Sequence, residues 1–230
     1  MSTFIVTGAF GALGQVVART LAARGDRVAL VDAAPAAPAG LAESFGADHL
    51  LLPAVDLSRP EGAEAAVARV REHFGGVHGL ANVAGGFRWE TIAGGDPATW
   101  QAMFSVNVLT ALHACRAVLP ALQAAGGGRI VNVGAGAAAK AGMGMGAYAA
   151  SKAGVLRMTE ALAEECKDQG VTVNAVLPSI IDTPANRRDM PDADFTRWVT
   201  AEALADVIAF LLSDGARAIT GAGIPVSGRV

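Results

Sequence analysis

Two residues in the second half of the chain have the types and spacing to move a proton. Tyr148 and Lys152 stand four apart in Tyr148-Ala-Ala-Ser-Lys152, so on a helix both side chains project from one face. An ammonium beside a phenol favours the phenolate and lowers its pKa from about 10. That makes Tyr148 a candidate general acid–base near neutral pH. On spacing alone, a solvated helix face is the commoner outcome for such a pair.

A second constellation lies near the N-terminus. Thr7-Gly8-Ala9-Phe10-Gly11-Ala12-Leu13-Gly14 follows a β-branched run and leads into a helical pattern. Glycine there lets the main chain approach a pyrophosphate, and a helix start offers free N–H groups and the positive end of its dipole. A lone glycine-rich turn is a weak signal, but the strand before and the helix after are the context the motif demands. The alternative is a tight turn with no ligand. The next β-branched run, RVALVD, ends at Asp32. A carboxylate there can accept from both adenosine ribose hydroxyls and would repel a 2′-phosphate. No cation follows it in Ala33-Ala34-Pro35, so NAD(H) is expected over NADP(H). The other reading of Asp32 is a solvated loop acid.

These residues need elements to hold them. Short β-branched runs at 4–7, 27–31, 49–54, 79–83, 129–133, 171–177 and 224–226 alternate with helical patterns at 12–23, 41–45, 62–74, 98–123, 148–168 and 201–212. Asp96-Pro97 and Thr200 supply helix starts. Seven strands alternating with helices predict an α/β fold, a doubly wound Rossmann domain with a seven-stranded parallel sheet flanked by helices. No linker or repeat divides residues 1–230, which predicts one domain. Residues 178–200 form the one long irregular stretch and are expected to act as a substrate lid.

Composition agrees with that architecture. The chain is 52% hydrophobic with 28 glycines, rich in the small apolar residues that let helices lie closely on both faces of a buried parallel sheet. A net charge of -3 gives no reason to expect nucleic acid or an anionic membrane as partner. Cys115 and Cys166 have no ligand or CxxC spacing, and His49, His73, His78 and His113 do not cluster, so no metal or disulfide is expected. Mean hydropathy is positive, but the run 103–122 is interrupted by Asn107, His113 and Arg116, leaving no span of about 20 uninterrupted apolar residues. The N-terminus shows no basic-then-apolar leader. The expectation is a soluble, cytoplasmic protein with a small-molecule substrate.

The glycine turn, Asp32, Asn82-Val83-Ala84-Gly85, Asn107 and Tyr148-Ala-Ala-Ser-Lys152 occur in the order of the short-chain dehydrogenase/reductase family, which the chain resembles along essentially its whole length. The resemblance implies hydride transfer with a nicotinamide dinucleotide, proton transfer by Tyr148, and Lys152 on the nicotinamide ribose. It implies that Asn107 kinks its helix and holds a water leading from Lys152 to solvent. Asp56 and Leu57 resemble the adenine-contacting pair. Gly8, Phe10, Gly11, Ala12, Leu13, Gly14, Asn82, Ala84 and Gly85 would line the cofactor. Pro178, Ile181 and Thr183 fall in the segment that seats the carboxamide, with Ser179 where glycine is usual. The family's long helices imply a homodimer or homotetramer.

The chief departure is the family's serine, thirteen positions before the tyrosine. Ala135 stands there, and no Ser or Thr occurs from Gly126 to Tyr148. A hydroxyl aimed at a developing oxyanion can be worth roughly 10²–10³ in rate. Gly134-Ala-Gly-Ala-Ala-Ala-Lys140, the glycines of 142–146, the stretch 182–198 and Val83-Ala-Gly-Gly-Phe87 are similar to dihydropteridine reductases, which the resemblance implies also work without that serine, on a quinonoid ring. Asn107 and the C-terminal run 219–226 instead follow the ordinary family. The expected activity is NADH-dependent reduction of a small cyclic, quinonoid or carbonyl substrate. A carbonyl or 3-oxoacyl reductase tolerating Ala135, or a dinucleotide-binding sensor without turnover, are the alternatives. Trp89 and Trp198 are expected to wall the substrate pocket, Trp100 to pack, and Arg187 and Arg188 to be solvated.

Overall fold

A computed structural model describes residues 1–46 and 48–230. The strands are β1 (Thr3–Thr7), β2 (Arg27–Val31), β3 (Leu50–Leu52), β4 (Gly79–Asn82), β5 (Gly128–Val133), β6 (Val171–Pro178), β7 (Ile181–Asp182), β8 (Val199–Thr200) and β9 (Gly223–Val226). The helices are α1 (Ala12–Ala23), α2 (Leu41–Phe45), α3 (Pro60–Phe74), α4 (Pro97–Phe104), α5 (Thr110–Ala124), α6 (Gly146–Cys166), α7 (Pro184–Asp189) and α8 (Ala201–Leu211). Seven strands form one parallel sheet in the order β3-β2-β1-β4-β5-β6-β9. Strand order therefore reverses between β1 and β4, and it is outside the carboxyl ends of strands at such a reversal that open α/β sheets bind ligands.

Alternating side chains of the sheet feed two apolar layers. Phe4, Val6, Val28 and Leu30 meet α1 and α8 on one face. Ile5, Ala29, Val31, Leu80 and Ile130 meet α3, α5 and the end of α6 on the other. Asp96 and Thr200 cap α4 and α8 through their side chains, accepting from Ala98 N and Ala203 N. The sheet is the one expected from the sequence. The third strand is shorter than 49–54. At its start His49 Nδ1 accepts from Val28 N at 3.1 Å. At its end Ala54 turns the chain out with a φ of 56°.

The long helical pattern 98–123 is not one α-helix. Between α4 and α5, Ser105–Leu109 forms a π-helical turn centred on Asn107. Extra residues of this kind occur in helices mostly at functional sites. The whole rod Pro97–Ala124 is long and apolar enough by composition to cross a membrane. Here its α5 half lies against the sheet, with Ala114, Cys115, Val118, Ala121 and Leu122 in the core, and its α4 half packs on α6.

Residues 178–200 are not the irregular stretch expected from the sequence. β7 and β8 pair in parallel, Ile181 with Val199 and Asp182 with Thr200. Thr183 caps α7 by accepting from Asn186 N. Trp198 is only 6% exposed and Val199 is buried, so the far end of the segment is fixed. Pairing between residues this distant in sequence supplies order that local apolar spacing does not reveal.

Candidate active site

The β1–α1 turn is shaped by close approach of main chain to main chain. A Cβ on Gly14 would stand 2.1 Å from the Gly8 carbonyl oxygen, and Gly8 itself lies against the Ala84 backbone. Gly11 begins α1 with no side-chain cap, and Gly11 and Ala12 are exposed, so the first N–H groups of the helix face outward. The side chains of Phe10 and Leu13 are buried in the core; only their main chain can meet a ligand. The cradle fits a pyrophosphate: a glycine-lined surface, open N–H groups and the dipole's positive end.

Asp32, beyond β2, is tied to that turn. Its Oδ2 accepts from Phe10 N and its Oδ1 from Ala34 N, both at 2.9 Å. The carboxylate thus shapes the glycine turn while keeping lone pairs for ribose hydroxyls. Across the sheet reversal, Thr7 Oγ1 accepts from Val83 N and Ala84 N at 3.1 and 3.2 Å. Asn82 points inward, donating to Asn132 Oδ1 at 2.9 Å, and Asn132 donates to Thr159 Oγ1 at 2.9 Å. This buried ladder links the glycine turn, β4 and β5 to α6. Asn82 therefore supports the cleft from behind.

Asp56 and Leu57 occupy a turn before α3. Leu57 is buried in the core. Asp56 is exposed and accepts from Ser58 N and Oγ, contacts that hold its carboxyl below the usual range, with smaller help from Arg59.

The proton-transfer candidates converge around α6. Lys152 is 5% exposed, and its Nζ donates to Val133 O at 2.8 Å while lying 6.0 Å from the Tyr148 ring centroid. Asn107 Oδ1 accepts from Gly86 N and its Nδ2 donates to Gly86 O, each at 3.0 Å. The same Nδ2 donates to Ser151 Oγ at 3.0 Å, and Ser151 donates to Tyr148 O at 2.7 Å. Gly85 fills the space beside Asn107 Oδ1 and Lys152 Nζ. The π-helical turn thus delivers Asn107 to clamp the β4 turn onto the first turn of α6. Ser151 was not singled out from sequence. Its signal is a serine three residues past the tyrosine on a helix, where hydroxyls bond back to the preceding turn.

Electrostatics here differ from the sequence expectation. Burial pushes the Tyr148 phenol up to about 12 and the Lys152 ammonium down to about 8. Desolvation is the cause in both groups, because burial disfavours the charged form of each. Tyr148 is therefore held as a neutral phenol.

The surrounding walls are apolar. Ala135 is buried at the start of a short 3-10 turn, Gly136–Ala138, beside residues without hydroxyls. Phe87 meets the Tyr148 ring edge to face at 4.9 Å. Trp89 lies on Gly144. Trp100 does more than pack: it is partly exposed and, with Thr91, Ile92, Gly95, Asp96 and Pro97, lines a recess of about 220 Å³. Trp198 is buried against Phe195. Pro178 ends β6, Ile181 begins β7, and Thr183 uses its hydroxyl on α7. Arg187 is not free: it makes a two-point ion pair with Asp182 at 2.6 and 2.7 Å and lies over the Phe195 ring. Among the described residues, no three His, Cys, Asp or Glu side chains converge on a possible metal site.

A parallel sheet with this strand order, a glycine turn at its reversal and a Tyr–Lys pair define a class. The short chain dehydrogenase family pattern matches residues 2–194, and the chain belongs to that family, whose members are NAD(P)(H)-dependent oxidoreductases. It is 33% identical to a 3-oxoacyl-(acyl-carrier-protein) reductase of Pseudomonas aeruginosa over 97% of this chain and 95% of that protein. It is 28% identical to a D-beta-hydroxybutyrate dehydrogenase of Rhizobium meliloti over 98% and 97% of the two. A solved short-chain type dehydrogenase/reductase from Mycobacterium ulcerans superposes with a TM-score of 0.93, at 28% identity, covering 99% of this chain and 89% of that one.

Proposed function

We propose that the chain is an NADH-dependent reductase of a small, polarised, conjugated substrate, with Tyr148 as proton donor and no hydroxyl assisting it. The observation that carries this reading is the buried Lys152 ammonium 6.0 Å from the Tyr148 ring centroid, with buried Ala135 at the position where the family's serine is expected. The glycine turn and α1 N-terminus would hold the pyrophosphate, and Asp32 the adenosine ribose. When bound, the reduced nicotinamide supplies a hydride and leaves as NAD⁺. Tyr148 gives its proton to the substrate heteroatom. Lys152, fixed by Val133 O, keeps a positive charge close to the phenolate left behind. Asn107 and Ser151 hold the first turn of α6 in place. A substrate whose electron deficiency already favours hydride arrival requires less oxyanion stabilisation, which fits Ala135.

The test is NADH oxidation against quinones and ketones with the wild type, Ala135→Ser and Tyr148→Phe. Ala135→Ser should raise ketone turnover by up to roughly 10²-fold and change quinone turnover much less. Tyr148→Phe should depress both by roughly 10²–10⁴-fold. Equal rates for Tyr148→Phe and wild type would end the proposal. A second reading, reduction of a 3-oxoacyl thioester, is favoured by the full-length similarity to reductases of that name; a wild type faster on such thioesters than on quinones would select it. For assembly, we propose that copies meet along the long helices, where Phe104 is exposed. A monomer by light scattering would refute that.

A further inference from the structure

Residues 87–92 expose three large apolar side chains, Phe87, Trp89 and Ile92. Two of them are fixed in the site. Phe87 is 55% exposed, yet its ring is set edge to face against Tyr148, and the preceding Gly86 is gripped at both its N–H and its carbonyl by Asn107. Trp89 is also 55% exposed. Its indole rests on the backbone of Gly144, where a Cβ would lie 2.1 Å from the ring and where φ is +72°. The neighbouring Glu90 N donates to Gly144 O at 2.8 Å, pinning the two loops together. Gly144 stands four residues before Tyr148, so the seat of the indole belongs to the entry of α6.

Exposing an apolar ring is ordinary when it is free to move, whereas contiguous apolar surface held in one place marks a contact site. We infer that Trp89 is the specificity-determining residue of this site, offering its free indole face to a planar, electron-poor ring, with Phe87 limiting that ring at Tyr148. An electron-rich indole stacks well on an electron-poor ring, and a stacking face holds a flat ligand without polar handles. No Ser or Thr occurs along 126–147, so the loop that seats the indole offers the ring no hydroxyl. The inference rests on the reductase reading for what happens to the ring, but not for its binding.

Calorimetric titration of the NAD⁺-bound protein with lumazine, a planar electron-poor bicycle that NAD⁺ cannot reduce, reads this contact without turnover. Trp89→Ala should weaken lumazine binding about tenfold or more, the usual scale for loss of one ring-stacking partner. Trp89→Phe keeps a stacking face and should stay within about threefold of wild type. NAD⁺ affinity should be the same in all three, which also reports that each variant is folded. Equal lumazine affinity in wild type and Trp89→Ala overturns the inference. So does a wild type that ignores millimolar lumazine while binding a linear 3-oxobutanoyl thioester. Lumazine binding that depends on Trp89 in a protein unable to oxidise NADH with any acceptor would uphold the inference and remove the reductase reading alone.

Discussion

Around the β1–α1 turn the constraints are backbone packed on backbone and short polar side chains bonded to backbone N–H groups, whereas around Phe87 and Trp89 aromatic rings are held by packing. In the first region Gly14 sits under the Gly8 carbonyl, and Asp32 and Thr7 spend their oxygens on N–H groups of adjoining turns. Little there can change without moving backbone. In the second, rings lean on glycines and on Tyr148, and other side chains could occupy the same space. The region proposed to grip a cofactor is therefore fixed by sterics, and the region proposed to meet a substrate by choice of side chain.

The sharpest way to break this comparison is Gly14→Val. Its Cβ would meet backbone that cannot rotate away, and overpacking of roughly 1–3 kcal/mol or more should weaken NADH binding about 100-fold. A fluorescence titration with unchanged affinity would show that the turn is softer than its contacts imply. Next in size is the pH dependence of kcat/KM for NADH-dependent reduction. The phenol stays protonated well above neutrality because burial pushes it up, but the Lys152 ammonium, pushed down to about 8, is lost as pH rises through that value. The rate should be level from pH 6 to about 8 and then fall about tenfold per unit. A limb near pH 10 instead would assign the control to another group.

How much of this could be read beforehand follows the same division. Glycine spacing and β-branched runs announced the sheet, the turn and Asp32, because steric rules act on neighbours in sequence. The kink at Asn107 was implied by resemblance, and the structure gives it physical form as a π-helical turn. The β7–β8 pair, the burial of Trp198 and the seat of Trp89 on Gly144 depend on contacts between distant segments, and no local pattern encodes them. The phenol's direction of shift belongs with these: spacing places a cation near Tyr148, but only the packed structure shows how far both groups are desolvated.

Two smaller tests sharpen the contrast. Asp32→Ala should narrow the proposed preference for NADH over NADPH and, by freeing Phe10 N and Ala34 N, also destabilise the fold by about 1.5–3 kcal/mol, some 2–4 °C of Tm per kcal/mol. A change in cofactor preference with Tm intact would separate the two roles. Far from the cleft, His49 Nδ1 must be unprotonated to accept from Val28 N, and burial lowers its pKa below 6.5, against a smaller opposing pull from Asp48. The unfolded chain then binds more protons, so this contribution is present above about pH 6.5 and is lost as pH falls through the lower folded value. His49→Gln should flatten that acid limb by under about 1 kcal/mol; thermal melts at pH 5 and 7.5 that differ equally in both proteins would rule it out.

The π-helical turn has a consequence for how this chain can vary. One residue advances a helix by about 100°, and the π-helical turn Ser105–Leu109 carries one more than an α-helical turn would, so it sets the angle between the buried residues of α4 and those of α5. Substitutions along the rod change one contact at a time. Loss of a single codon within it would swing every following side chain of α5 round the axis, carrying Ala114, Cys115 and Val118 out of the sheet face while leaving composition nearly untouched. The rod is thus tolerant of replacement and intolerant of change in length, and its reading frame of contacts is set at Asn107.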